Sequence, residues 1–315
     1  MKTIVYFRLV LALMLLPALG TLAQTVSSRA PAVLETLPAD SPYGEATVER
    51  NIPYVGHATT NQNFDLYLPR KHGVRPFPLV IWVHGGAWLT GSKEWDNVKY
   101  LVQHGYAIAS IDYRYSPEAP FPAQIQDCNA AMNFILAHAA DYGVDARRFA
   151  VGGGSAGGHL ALLLGLARQE REFGANPAIK PLAILDFFGP ADLNGMEDDL
   201  RAIHSQRGLE TWQDAGPKLL GAPLDQAATR AKAASPITYV SAAAPPVLIL
   251  QGDEDDLVPV AQSQRLHVAL NRVGVDNELI MVHKAGHDGP MFSAPRIQPG
   301  IIDFLNGVFK NAGSR

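Results

Sequence analysis

Five apolar residues in a row, Leu79-Val80-Ile81-Trp82-Val83, leave no polar residue at alternate positions. Side chains of a strand alternate between two faces, so a strand that is apolar throughout must be covered on both. That is the situation of a parallel sheet with helices on each side. Strand-like segments recur at Asn63 to Leu68, Tyr106 to Ile111, Arg148 to Val151, Pro181 to Phe187, Pro246 to Leu250 and Glu278 to Val282. Between them, Pro122 to Ala139, Ser155 to Ala167, Leu257 to Val273 and Ile297 to Phe309 read as helices. This alternation predicts an α/β fold with a mostly parallel sheet and helices on both faces. The stretch from Gly195 to Ala234 breaks the rhythm. It is polar and helical, and is expected to form a small cap insertion over the carboxyl edge of the sheet, where such folds bind ligands.

The N-terminus reads as an address, not as part of the fold. Lys2 and Arg8 precede an apolar stretch, Leu9 to Gly20, and Thr21-Leu22-Ala23 offers a small-residue cleavage site. This is the pattern of a signal peptide over residues 1–23. The apolar run is short for a membrane span. The expectation is a periplasmic or secreted protein with no membrane contact once the signal is removed. Residues 24–42 read as a loose leader and 43–315 as the folded domain, with the cap at 195–234. Cys128 is the only cysteine, so the core must supply the stability that disulfides give many exported proteins. A chain of this size can do so. The helical surroundings of Cys128 mark it as a buried bystander. The net charge is -4 and no basic run is present, which excludes a nucleic-acid surface. No pattern fixes the oligomeric state.

Gly153-Gly154-Ser155-Ala156-Gly157 matches G-x-S-x-G, follows the strand Phe149-Ala150-Val151 and opens a helix. That is the setting of a nucleophile elbow, in which a sharp turn exposes the Ser hydroxyl and leaves no room for neighbouring side chains. Upstream, His84-Gly85-Gly86-Ala87-Trp88 follows the strand ending at Val83, where the second half of an oxyanion hole is expected. The backbone N–H groups of Gly86, Ala87 and Ala156 are the candidate donors, and Trp88 is a candidate substrate contact. His84 reads as a support beneath the loop.

A catalytic acid should follow a late strand and a catalytic His the last one. The strand Leu248 to Gln251 leads into Gly252-Asp253-Glu254-Asp255-Asp256, and the strand ending at Val282 leads into His283-Lys284-Ala285-Gly286-His287. Order and placement nominate Ser155 as nucleophile, Asp255 as acid and His287 as base. Asp253 is expected to turn the chain, Glu254 to face solvent and Asp256 to cap the following helix. His283 competes as base but lies close to the strand body. His159, one helical turn after Ser155, is expected to pack or bond locally. A general base must be neutral, so activity should fall on the acid side as His287 takes up a proton. No metal or other cofactor is expected: H-E-x-x-H and paired cysteines are both missing from the sequence.

With these residues in view, the chain resembles the secreted α/β-hydrolase esterases known as bifunctional feruloyl and acetylxylan esterases, close to the hormone-sensitive-lipase-like group. The resemblance runs from about Asn63 to Phe309. It rests on the His84 to Trp88 loop, Asp112-Tyr113-Arg114, Phe121 to Gln124, Ser155 to Ala161, Phe188 to Leu193, Ser235-Pro236-Ile237 and Gly286-His287. It implies carboxylic-ester hydrolysis through an acyl-enzyme, on a small-molecule ester or acylated carbohydrate, without a cofactor. Three departures stand out. Ala87 replaces a third glycine, Gln251 stands where a His is common before the acid loop, and Gly154 stands where many relatives carry a bulkier or acidic residue. An arylformamidase shares the His-Gly-Gly-x-Trp loop but acts inside cells, against the expectation of export. A catalytically silent hydrolase-fold binding protein is the reading from a different class. A serine-directed organophosphorus probe separates it, because a binder would not be labelled.

Overall fold

Residues 34–56 and 61–312 are described in a computed structural model. The strands are β1 (Leu34–Leu37), β2 (Ala46–Pro53), β3 (Asn63–Pro69), β4 (Phe77–Val83), β5 (Ala107–Ile111), β6 (Val144–Gly154), β7 (Ile184–Phe187), β8 (Val247–Gly252) and β9 (Asn277–Val282). They form one nine-stranded sheet in the order β1-β2-β3-β5-β4-β6-β7-β8-β9. Strands β5, β4, β6, β7, β8 and β9 pair in parallel, while β1, β2 and β3 add an antiparallel flank. The helices are α1 (Ala123–Ala137), α2 (Ala139–Tyr142), α3 (Ala156–Leu166), α4 (Met196–Ala202), α5 (Gln206–Leu220), α6 (Ala228–Ala234), α7 (Val260–Arg272) and α8 (Gln298–Ala312).

The continuous apolar strands divide their side chains between two cores, which is why they lack polar positions. From β4, Leu79, Ile81 and Val83 enter a core with α1, α3 and α7. Val80 and Trp82 enter a second core, on the other face, with α8 and the 3-10 turn Lys99–His104. β8 repeats the division: Val247 and Ile249 join the first core, Leu248 and Leu250 the second. Each such fully buried side chain stabilises the fold by roughly 1.5–3 kcal/mol relative to exposure. Cys128 is buried in the first core, where burial holds its thiol protonated, in keeping with a bystander role.

Two boundaries differ from expectation. The leader, read as loose over residues 24–42, contributes β1, whose Leu34 to Leu37 pair antiparallel with Glu49 to Ala46. The sheet therefore reaches back beyond the expected start at residue 43. The signal peptide and residues 24–33 lie outside the described residues. Secondly, β2 has no counterpart among the expected strands. Its sequence, Ala-Thr-Val-Glu-Arg-Asn-Ile-Pro, carries two charges and an Asn, and pairing with β1 and β3 makes it a strand. Between β7 and β8 the segment 195–234 folds as α4, α5 and α6, so the polar stretch is helical as expected.

Candidate active site

Ser155 stands between β6 and α3 with φ 56° and ψ −122°. A non-glycine residue in this region costs on the order of 1–3 kcal/mol and persists only where its surroundings enforce it. Its N–H donates to the Phe187 carbonyl at 2.8 Å, and its own carbonyl accepts the His159 N–H at 3.0 Å. The glycines around it answer to close approach. A Cβ on Gly157 would lie 2.0 Å from the Val83 carbonyl oxygen, and one on Gly153 would lie 2.3 Å from that of Gly157. Helix α3 therefore sits against the end of β4, presenting its N-terminus, and the partial positive charge there, to the site.

His287 brings its Nε2 within 2.8 Å of Ser155 Oγ, and its Nδ1 lies 2.9 and 3.1 Å from the two carboxylate oxygens of Asp255. With Nδ1 protonated toward Asp255, Nε2 is the acceptor for the Ser155 hydroxyl. Phe188 packs edge-on against the His287 ring, centroids 4.9 Å apart. Asp255 is almost fully buried and accepts three further hydrogen bonds, from the Leu257 and Val258 N–H groups and from Gln251 Nε2, each at 2.9 Å. The departure at Gln251 acquires a physical account here. Its amide donates to the carboxylate while its Oε1 accepts from Ser263 at 2.8 Å, so a non-titrating side chain orients Asp255 from below.

The neighbouring carboxylates divide differently from expectation. Glu254 is exposed, as expected. Asp253 does not turn its own chain. It bridges loops, accepting the Lys284 N–H at 2.7 Å and pairing with His283 Nδ1 at 2.7 Å, and hydrogen bonding to His283 holds its carboxyl below the usual range. That pair also removes His283 as a base, because its side chain is 77% exposed at the surface. Asp256 caps nothing. Helix α7 begins only at Val260 after Pro259, and Asp256 Oδ1 pairs with Arg207 Nη1 at 2.9 Å.

Gly86, Ala87 and Ala156 line the same cavity, about 580 Å³, as Ser155 and His287. Among the described residues none of their three N–H groups donates to a protein acceptor outside regular elements, and the first N–H of a helix has no acceptor within it. Gly86 has φ 111°, and a Cβ there would lie 2.1 Å from the Thr90 carbonyl. The loop is closed by Leu89 and Thr90 N–H groups donating to the Gly86 carbonyl. His84 lies fully buried beneath it, stacked on Tyr113 with centroids 4.5 Å apart, and burial lowers its pKa. It supports the loop as expected.

Trp88 also lines the cavity, but its polar edge is turned away from it. Its indole N–H donates to His159 Nδ1 at 3.3 Å, and His159 Nε2–H donates to the Ala234 carbonyl at 2.7 Å. This line ties the oxyanion loop to α3 and to the last residue of α6. His159 is wholly buried, which pushes its pKa down to about 4, so it is a neutral strut; its ring's partners come from distant parts of the chain rather than from its own helix. A Cβ on Gly154 would meet Asn97 Oδ1 and Phe188 at 3.3 Å. The side chains that fill this place come from elsewhere in the chain, which accounts for the small residue before the nucleophile. Asn97 also donates from Nδ2 to Asp288 Oδ1 at 3.0 Å. Met196, Trp212 and Ala215 of the insertion, together with Leu257 and Val258, complete the apolar wall. Sequence reasoning missed Asn97 and Trp212, and marked Gln251 as a departure from relatives with no role attached. Among the described residues no group of three His, Cys, Asp or Glu side chains is placed to hold a metal.

The BD-FAE family model matches residues 64–270. Esterase LipQ of Mycobacterium tuberculosis is 30% identical over 261 residues, 76% of this chain and 58% of its own length. A probable isoprenylcysteine alpha-carbonyl methylesterase of Arabidopsis thaliana is 29% identical over 283 residues, 85% of this chain and 56% of its own. The chain thus spans less than two thirds of the length of these curated relatives. Among solved structures, a truncated form of a carbohydrate esterase from gut microbiota has a TM-score of 0.74 at 26% identity, covering 88% of this chain and 100% of that one. A bifunctional GH43-CE protein of Bacteroides eggerthii has a TM-score of 0.73 at 28% identity, covering 83% and 35%. The fold is that of an α/β-hydrolase, and by the match over most of its sheet the chain belongs to the BD-FAE family.

Proposed function

We propose that this protein is an exported serine carboxylic-ester hydrolase acting on short-chain or carbohydrate-linked esters. The observation that carries the reading is the unbroken line from Ser155 Oγ through both nitrogens of His287 to Asp255, beside the N–H groups of Gly86, Ala87 and Ala156. Ser155 Oγ attacks the acyl carbon as its proton passes to His287 Nε2. Asp255 stabilises the resulting imidazolium and holds the ring. The carbonyl oxygen becomes an oxyanion facing the three N–H groups, which were placed before reaction and need no reorganisation. His287 then gives the proton to the departing alcohol. Water, deprotonated by the same nitrogen, frees the acid from the acyl-enzyme. Export rests on the N-terminal pattern, and N-terminal sequencing of the exported protein should begin at Gln24.

Replacing Ser155 with Ala tests the assignment. The variant should fold, lose on the order of 10³-fold or more in kcat and escape labelling by a phosphonate probe. Ester turnover surviving in pure variant protein would overturn it.

A further inference from the structure

Trp95 is 56% exposed, the single aromatic among the large exposed apolar residues described, and it lies in the wall of the active-site cavity. Its backbone is held. The Trp95 N–H donates to the Ser92 carbonyl at 2.8 Å, and its carbonyl accepts from the fully buried Trp82 indole at 3.3 Å. The next residue, Asp96, is buried and receives the Tyr43 hydroxyl at 2.6 Å. The loop is therefore fixed on both sides of a ring that faces the open active-site cavity.

The position of the loop says which part of an ester would do so. Two residues on, Asn97 is bonded to Asp288, the neighbour of His287 in the chain. The alcohol of an ester leaves on the side of the base, because His287 Nε2 must reach the departing oxygen. The Asn97–Asp288 bond ties the loop of Trp95 to the segment carrying His287, the side of the cavity expected to take the alcohol. The insertion supplies a different wall, the apolar one of Met196, Trp212 and Ala215. The loop that carries Trp95 also brings Glu94, Asn97 and Lys99 to the cavity wall, with Asp288 bonded to Asn97. A flat apolar ring bordered by hydrogen-bonding groups matches a pyranose with equatorial substituents. Its axial C–H bonds form an apolar face for the indole, and its hydroxyls form a polar rim.

We propose that Trp95 is a stacking platform for the sugar ring of an acylated pyranoside, and so the residue that selects sugar alcohols as leaving groups. The inference rests on the ester-hydrolase reading above. Its test compares wild type, Trp95→Ala and Trp95→Tyr on mono-acetylated methyl β-xylopyranoside, ethyl acetate and phenyl acetate. In Trp95→Ala the ratio of kcat/KM for the sugar ester over ethyl acetate should fall about tenfold, through KM, and Trp95→Tyr should restore most of it. A ratio unchanged in Trp95→Ala, with wild-type enzyme active on ethyl acetate, would overturn the stacking role alone. A loss confined to phenyl acetate would do the same, assigning the ring to aromatic alcohols. Wild-type protein inactive on all three esters would overturn the ester-hydrolase reading itself.

Discussion

Asp255 carries more of the site's organisation than its proposed place in a triad requires. Four donors converge on one buried carboxylate: two backbone N–H groups, Gln251 Nε2 and His287 Nδ1. An Asn at this position would keep an oxygen for the two N–H groups, but its own NH₂ would face Gln251 and His287, both donors. The imidazole would then favour the other tautomer, with Nε2 protonated and unable to accept from Ser155. Asp255→Asn should therefore lower kcat by about 10²–10⁴-fold in a protein that still folds. Asp253→Asn, which loosens only an exposed contact with His283, should leave kcat within a few-fold. Steady-state kinetics on butyrate esters decide between them. Large loss in Asp253→Asn with activity kept in Asp255→Asn would exchange the two roles.

Among the elements, the inserted helices are expected to set how deep an acyl chain can go. Trp212 of α5 and Met196 at the start of α4 are each only 4% exposed yet border the cavity, so they close it at side-chain contact. A pocket so bounded should favour acetyl and butyryl esters over chains longer than about six to eight carbons. Trp212→Ala opens a volume that a longer chain can fill. It should raise the octanoyl to butyryl ratio of kcat/KM several-fold, at a stability cost of about 3–5 kcal/mol for a large buried aromatic. A panel of esters of one alcohol checks both claims, and an unchanged ratio would place the acyl chain elsewhere.

The parallel strands and the helices α1, α3, α7 and α8 were legible in the sequence, because continuous apolar runs and helical spacing are written locally. The candidates Ser155, Asp255 and His287 were named because each follows a strand in a fixed order, and the fold brings their side chains together. What escaped was decided by partners far along the chain. β2 carries charges and is a strand because β1 and β3 pair with it. Trp88 lines the cavity as a substrate contact would, but the bond of its N–H to His159 could not be read from the sequence. Asp256 has the composition of a cap but lies before Pro259, and Arg207 takes it. Asn97 fills the space beside Gly154 from a loop nearly sixty positions away, which no local pattern can announce.

On the scale of the whole molecule, two buried groups give stability opposite dependences on pH. Burial lowers His159 to about 4, below the ordinary His value near ~6.5. The unfolded chain then binds this proton first, so its contribution is present above about pH 6.5 and is lost as pH falls toward 4. Burial raises Asp186 to about 8, with only the Gly189 N–H to offset it. The unfolded chain releases this proton first, and stability declines as pH rises from about 4 to 8. Thermal melts should separate them. The Tm gained by Asp186→Asn should grow between pH 4.5 and 8. The Tm lost by His159→Gln, which keeps a donor and an acceptor without the ionisable ring, should shrink between pH 7 and 4.5. Differences that do not vary with pH would contradict both assignments.

The hydrogen bond that Ser155 donates to His287 joins residues 132 positions apart, and it has a kinetic meaning. Ser155 is delivered by β6 near the middle of the sheet, Asp255 by β8 and His287 by β9 at its edge. Contacts between distant parts of a chain form late and slowly. A refolding molecule can gain its helices and its central strands before the edge strand docks, and until then the serine has no base. Ester hydrolysis should accordingly return after far-ultraviolet ellipticity on dilution from urea, with a lag that Ser155 itself does nothing to cause. Simultaneous recovery of the two signals would show that the edge strand docks together with the rest. If the lag is present, turnover becomes a clock for the last step of assembly, read without any label on the protein.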